Sequence, residues 1–245
     1  MRRAPVIAVA LLVVAGCGSS ARVTTALPRI VSLSPAATEL LDAIGAGDQI
    51  VDGNNAGHVE LVVVSGNAPV EAGGTGGTGG TGGKARVLRL PAPKSLDDTF
   101  AELQQLGDAS GHAKEAAAAV TRIRDGLAAV FRAVRDKANG LTFYDEIDSA
   151  GTSATSHTFV GQLYGMLGMV NVADAAPTGG SNPRLSAEFV LAARPSFIFL
   201  AAPQRALMFA AVPQRHVVAL PADLASPSGL HAVEFLQAVA SAVSG

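Results

Sequence analysis

The chain has 245 residues, with 18 Lys and Arg against 20 Asp and Glu, one cysteine and no tryptophan. Nearly balanced charge without a basic stripe excludes the positive surplus that phosphate-backbone binding requires, so nucleic acid is not an expected partner. A lone cysteine excludes an intramolecular disulfide, so the fold must be held by packing alone. Hydrophobic residues make up 49 % of the chain but aromatics only 4 %, so any pocket has few large rings to line it.

The chain begins with a short positive segment, Met1-Arg2-Arg3, and an almost unbroken apolar run from Pro5 to Ala15. That run is shorter than the roughly 20 residues a membrane span needs and reads as the core of a signal peptide. It ends in Val14-Ala15-Gly16-Cys17, which resembles a bacterial lipobox, with valine where leucine is commoner. The resemblance implies cleavage before Cys17 and a lipid on that residue. The alternative is an ordinary signal peptide that contains a cysteine. Residues 18–28 then form a polar tether, and the expected location is the outer face of the cytoplasmic membrane or the periplasm.

Arg29 to Leu33 reads as a short apolar strand. Ser34-Pro35 follows, a helix N-cap with proline at the first helical position, where a missing N–H costs nothing. Glu39 is assigned to the first turn, complementing the helix dipole. Leu40, Leu41 and Ile44 give the apolar face and Gly45 the stop. Gln49 to Val51 is a weak strand; Leu61 to Ser65 and Val87 to Leu90 read as buried strands. Ser95 opens a helix expected to run to Leu106 and stop at Gly107.

Between Ala113 and about Arg135, apolar residues recur at Ala116, Val120, Ile123, Leu127, Val130 and Val134. Steps of three and four place them on one helical stripe. With α/β patterns on both sides, this helix reads as a beam joining two lobes. Next come a strand at Leu141 to Tyr144 and a helix from Phe159 to Leu167, closed by Gly168. Ser186 caps a helix to about Ala193, and Phe197 to Ala201 and Val217 to Leu220 are further strands. The last helix runs from about Gly229 to Val243, with Val233, Leu236, Ala240 and Val243 inward. Strands alternating with helices imply an α/β fold with parallel sheets, whose ligands sit at the carboxyl ends of the strands.

Gly73 to Gly83 is a Gly-Gly-Thr tract with eight glycines. Each glycine disfavours helix by about 1 kcal/mol against alanine, and Gly83-Lys84-Ala85 lacks the Gly-Lys-Ser/Thr ending of a phosphate loop. The tract reads as a linker. The expected organisation is signal peptide 1–17, tether 18–28, first lobe 29–112 with linker 66–86, interlobe helix 113–136 and second lobe 137–245.

Taken together, Arg29-Ile30-Val31-Ser32-Leu33-Ser34-Pro35-Ala36-Ala37-Thr38-Glu39-Leu40 with Ile44 to Asp48 resembles the opening of the solute-binding proteins that feed vitamin B12 and ferric siderophores to ABC importers. Thr158 to Tyr164, Asn171 to Asp174 and Leu185 to Leu200 resemble parts of their second lobe. The resemblance implies two lobes joined by a long helix and a metal chelate, siderophore or corrinoid, in the cleft. It also implies a monomer that docks on an importer permease and performs no bond chemistry. Carried onto this chain, Ser34, Pro35 and Ala36 match the first-lobe loop at the cleft, and Ser156, His157, Thr158 and Phe159 the second-lobe loop. Asp223 and His231 fall in the last loop and helix start, and Glu188 matches a glutamate that docks on an importer arginine. Glu188 also suits dipole compensation behind Ser186.

The sequence departs from that pattern in three places, one of them a short stretch between Ala201 and Val217. The helix that carries a second docking glutamate in the first lobe has no room between Val51 and Leu61, and the tryptophans that often line corrinoid pockets are missing. A scaffold retained as a non-transporting interaction lipoprotein is therefore the alternative function. No cofactor is implied. His58, His112, His157, His216 and His231 have no metal-ligand spacing and read as scattered surface histidines. Ser34 lacks the Gly-x-Ser-x-Gly elbow of a hydrolase, and the carboxylates Asp145, Glu146 and Asp148 read as a solvated loop at a strand end.

Overall fold

The structure is a computed structural model and describes residues 26–52, 58–66, 85–177, 179–201, 216–221, 224 and 229–245. The signal peptide with Cys17, the glycine tract and Asp223 lie outside the described residues.

Two parallel sheets are formed, one from strands before a long helix and one from strands after it. In the first lobe, β1 (Ile30–Ser32), β2 (Leu61–Ser65) and β3 (Arg86–Leu90) lie in that order, with Ile30 opposite Leu61 and Leu61 opposite Arg86. Ile50 adds a parallel bridge on the free side of Ile30, the remnant of the weak strand at Gln49 to Val51. Every apolar residue of β2 is buried, as a central strand between helices requires. β3 departs from expectation. It is an edge strand among the described residues, and Val87 is exposed.

The second lobe holds β4 (Thr142–Glu146), β5 (Val170–Asn171), β6 (Phe197–Leu200) and β7 (Val217–Ala219) in the order β5-β4-β6-β7, all parallel. Phe143, Tyr164, Phe199 and Phe235 stack beneath this sheet, with Phe143 and Tyr164 ring centres 4.0 Å apart.

Helix α1 (Pro35–Ala43) starts at Ser34, whose hydroxyl accepts the Ala37 N–H at 3.3 Å. Glu39 lies beyond its first turn, so its expected dipole role gives way to a different one described below. Helix α2 (Leu96–Ser110) is one turn longer than expected. Gly107 does not end it: a Cβ there would sit 2.5 Å from the Ala116 Cβ, so the glycine lets α2 press against the next helix. The stop is Gly111, whose φ of 86° is left-handed.

Helix α3 (Ala113–Ala138) is the beam. Its 26 residues span about 39 Å, and the buried stripe runs from Ala116 through Val120, Ile123, Leu127 and Val130 to Val134. It packs on α2 in the first lobe and on α6 (Ala232–Ser244) in the second. On α6, Ala232, Phe235, Leu236 and Val239 are buried; of the expected residues Leu236 is among them, and Val233, Ala240 and Val243 pack half-buried against the core, Val233 beside Gly126 of α3. Helices α4 (Phe159–Met166) and α5 (Ala187–Ala193) cover the second sheet, N-capped by Thr158 and Ser186.

The carboxylates after Tyr144 are the largest surprise. Asp145 and Glu146 are each 1 % exposed and belong to β4 itself, so the solvated-loop reading holds only for Asp148. The strand continues because both pair with β6, Asp145 opposite Phe199 and Glu146 opposite Leu200, and Tyr164 and Tyr144 donate hydrogen bonds to them. Burial pushes the Asp145 carboxyl up to about 7; the Tyr164 hydrogen bond opposes this and the Glu146 charge adds to it.

Candidate ligand-binding cleft

The carboxyl ends of β2 and β4 open toward each other, and a cavity of about 460 Å³ lies between the lobes. That is within the ~300–1,000 Å³ range of small-molecule pockets. The first lobe contributes Ala36, Glu39 and Leu40 from α1, Ser65 at the end of β2, and Thr99 and Glu102 from α2. The second contributes Ile147 just after β4, Ala154, Asn182, and Thr158 and Phe159 at the start of α4. Gly229 closes the floor. It touches Thr99, and a Cβ there would fall 2.1 Å from the Thr99 hydroxyl oxygen.

Two strand-to-helix loops build the walls. In the first, the Ser34 hydroxyl accepts both the Ala37 N–H and, at 3.2 Å, the Ser65 N–H, so the loop after β1 is tied to the end of β2. In the second, the Thr158 hydroxyl accepts the Gly161 N–H at 3.0 Å and donates to the Thr155 carbonyl at 2.7 Å. Gly161 permits this tight turn, since a Cβ would lie 1.9 Å from the Thr155 carbonyl oxygen. The Ser156 N–H donates to Asp174 at 2.9 Å.

Three contacts hold the lobes in register around the cavity. The Gln162 side-chain amide donates to the Lys94 carbonyl at 3.0 Å. The His231 Nε2, at the foot of α6, meets the Glu39 carboxyl of α1 in a hydrogen bond. Gly229 against Thr99 is the third.

The sequence-derived residues divide accordingly. Ala36, Thr158 and Phe159 line the cavity. Ser34 stands behind the wall as its fastener, Pro35 is exposed at the first helical position, and Ser156 and His157 are exposed on the rim side of the loop. His231 turns to Glu39. Glu188 is exposed in the first turn of α5, where its own N–H and the Ser186 hydroxyl hold its carboxyl below the usual range. Among the described residues no group of three or more His, Cys, Asp or Glu is placed to hold a metal ion.

Sequence reasoning missed Glu102, Thr99 and Asn182. Glu102 is 4 % exposed, and its Oε1 has no hydrogen-bond partner. Desolvation, then the Asp98 charge one turn earlier, pushes its carboxyl up to about 7. Nothing in the sequence singles out Glu102, because a glutamate on a helix is ordinarily exposed and its burial appears only in the folded chain.

A second cavity of about 370 Å³ lies on the other side of Phe159, between α2, α3 and α4. Phe100, Leu127, Phe131 and Met166 line it, and the Arg124 guanidinium sits 4.7 Å from the centre of the Phe100 ring.

No protein-family model matches the chain, and no curated protein does. Solved structures do. The periplasmic vitamin B12 binding protein BtuF of Vibrio cholerae aligns with a TM-score of 0.65 at 20 % identity, over 89 % of this chain and 97 % of that one. The periplasmic heme-binding protein HutB of the same organism gives 0.68 at 16 % identity, over 89 % and 99 %. The ABC-type Fe3+-hydroxamate transport protein of Saccharomonospora viridis gives 0.60 at 16 %, over 89 % and 94 %. Parallel sheets in two lobes with a long helix between them are the fold shared with these structures, and the chain has the fold of the two-lobe periplasmic binding proteins.

Proposed function

We propose that the chain is an extracytoplasmic solute-binding lipoprotein of an ABC importer, held to the membrane through Cys17, that carries a metal chelate in the interlobe cleft. The observation that carries this reading is the cavity itself. It is built from the loops at the strand ends of both lobes, where α/β folds place ligands, in a fold shared with proteins named for vitamin B12, heme and ferric hydroxamate. The role needs capture and release only. Ala36, Thr158 and Phe159 would touch the chelate, with Ser34, Pro35, Ser156 and His157 shaping the two loops. Glu188 is the candidate docking group, exposed and ionised on the second lobe.

Calorimetric titration of the purified protein with cobalamin, heme and several ferric hydroxamate and catecholate chelates tests the reading. Saturable binding of one class below high-micromolar concentration supports it; no binding of any of them overturns it.

A second reading has its own support. The sequence leaves only nine residues, Asp52 to Glu60, for the first-lobe helix that carries a docking glutamate in the family it resembles. A scaffold that binds a chelate but does not dock would be an interaction lipoprotein without transport. Importer binding measured with the loaded protein separates the two.

A further inference from the structure

The charge of the cleft narrows what it can hold. Its described lining contains two carboxylates, Glu39 and Glu102, and neither lysine nor arginine. Glu39 is already paired with His231. Glu102 is not: it is buried on α2, lines the cavity, and its Oε1 meets no donor from the protein. The remaining polar groups of the wall, Ser65, Thr99, Thr158 and Asn182, are neutral.

A buried carboxylate without a donor is costly, and the cost is repaid only when something brings one. The protein does not: Oε1 is sealed without a donor, while the Glu102 side chain lines the cavity. A solute that presents an ammonium or N–H group at this point would be held by a charge-assisted hydrogen bond in a desolvated setting. A polyanionic solute would place its own charge against Glu102 with no cation in the described wall to offset it. Desolvation, then the Asp98 charge, raises the Glu102 carboxyl to about 7, and a positive partner beside it would favour the ionised form again.

Resting on the solute-binding role proposed above, we infer that Glu102 is the specificity determinant of the cleft and selects chelates that carry a cationic amine or N–H donor over polyanionic ones. Heme with its two propionates and ferric tris-catecholates fall on the disfavoured side. Ferric hydroxamates with a free terminal amine fall on the favoured side.

The test compares three probes on the wild-type protein and on Glu102→Gln. These are a ferric linear trihydroxamate ending in a primary ammonium, its N-acetyl derivative, which differs in that one charge, and a ferric tris-catecholate. The wild type should bind the ammonium form at least about tenfold more tightly than the acetylated form and the tris-catecholate most weakly. Glu102→Gln, which keeps the shape, should bring the two hydroxamates to within about threefold by weakening only the charged one. Equal wild-type affinity for the two hydroxamates, tightest binding of the tris-catecholate, or a preference that survives in Glu102→Gln would overturn the inference while leaving solute binding intact. Absence of binding by all three, and by cobalamin and heme, would instead remove the parent reading. The wild-type comparison stands even if the variant folds poorly.

Discussion

His231 and Glu39 are 192 positions apart in sequence and face each other across the cleft, joining the foot of the last helix to the first helix of the opposite lobe. Each is about 40 % exposed, so water screens the pair and its contribution to folding stability is small. Its position matters more than its strength, because it sits where the lobes would part to release a solute. Glu39→Gln or His231→Gln should lower Tm by no more than a few degrees but speed solute dissociation severalfold. Stopped-flow release and thermal melting on the same samples check this. Unchanged release kinetics would show that the pair does not hold the cleft shut.

Asp145 makes stability fall as pH rises. Its carboxyl is raised from 3.8 to about 7 in the folded protein. Below 3.8 both folded and unfolded chains hold the proton and nothing is lost. Between 3.8 and 7 the unfolded chain releases its proton while the folded chain keeps it, so stability declines, and above 7 the loss is complete. The total is on the order of 4 kcal/mol, with roughly 3 kcal/mol of it between pH 5 and 8. Asp145→Asn keeps an acceptor for the Tyr164 hydroxyl and removes the titration. The variant should therefore gain about 5–10 °C in Tm relative to wild type on going from pH 5 to pH 8. A constant difference between the two proteins across that range would contradict the assignment.

Gly161 and Gly165 lie one helical turn apart on α4 and should respond in opposite ways. An added methyl at Gly161 drives into the Thr155 carbonyl and the Ser156 backbone, whereas nothing lies within 4 Å of one at Gly165. Gly161→Ala should cost about 1–3 kcal/mol and weaken solute binding by displacing the second-lobe loop. Gly165→Ala should be neutral or stabilising by up to about 1 kcal/mol. Calorimetry and melting on the pair check both statements, and solute affinity that survives Gly161→Ala would remove that loop from the site.

Glu188 carries two roles with different readouts. If its carboxylate meets an importer arginine, Glu188→Ala should reduce importer binding, most visibly at low salt, and leave solute affinity unchanged. If it only caps α5, importer binding should stay and Tm should drop slightly. Binding of the loaded protein to the importer in nanodiscs, read beside Tm, decides between them.

Cys17→Ala should leave the protein unlipidated and released from membranes or unprocessed, since the thioether sulfur is lost; two or more acyl chains otherwise give stable anchoring. Mass spectrometry of the wild-type protein showing no lipid would reject the anchor.

Much of this fold was legible before any coordinates. Ser34, Ser95 and Ser186 each announced a helix start, and each accepts the expected backbone N–H. The stripe from Ala116 to Val134 announced the beam because a helix with one buried face repeats at 3.6 residues. What failed was tertiary in origin. Gly107 reads as a stop in isolation, and only the neighbouring Ala116 explains its place inside α2. Asp145 and Glu146 read as solvent-facing because charge ordinarily is, and their tyrosine partners were visible only after folding. The cleft was half legible for the same reason. Loop residues can be carried over from a motif, whereas Glu102 belongs to it through the way α2 leans on α3.

The beam also has a kinetic meaning. Because α3 is one unbroken helix packed on both lobes, the two halves turn on no flexible crossover strand. A solute would meet a socket already near its final shape, and little of the binding free energy would go into closing it. Arrival rates would then follow diffusion and the charge of the rim, leaving residence time as the quantity that separates a retained solute from a rejected one.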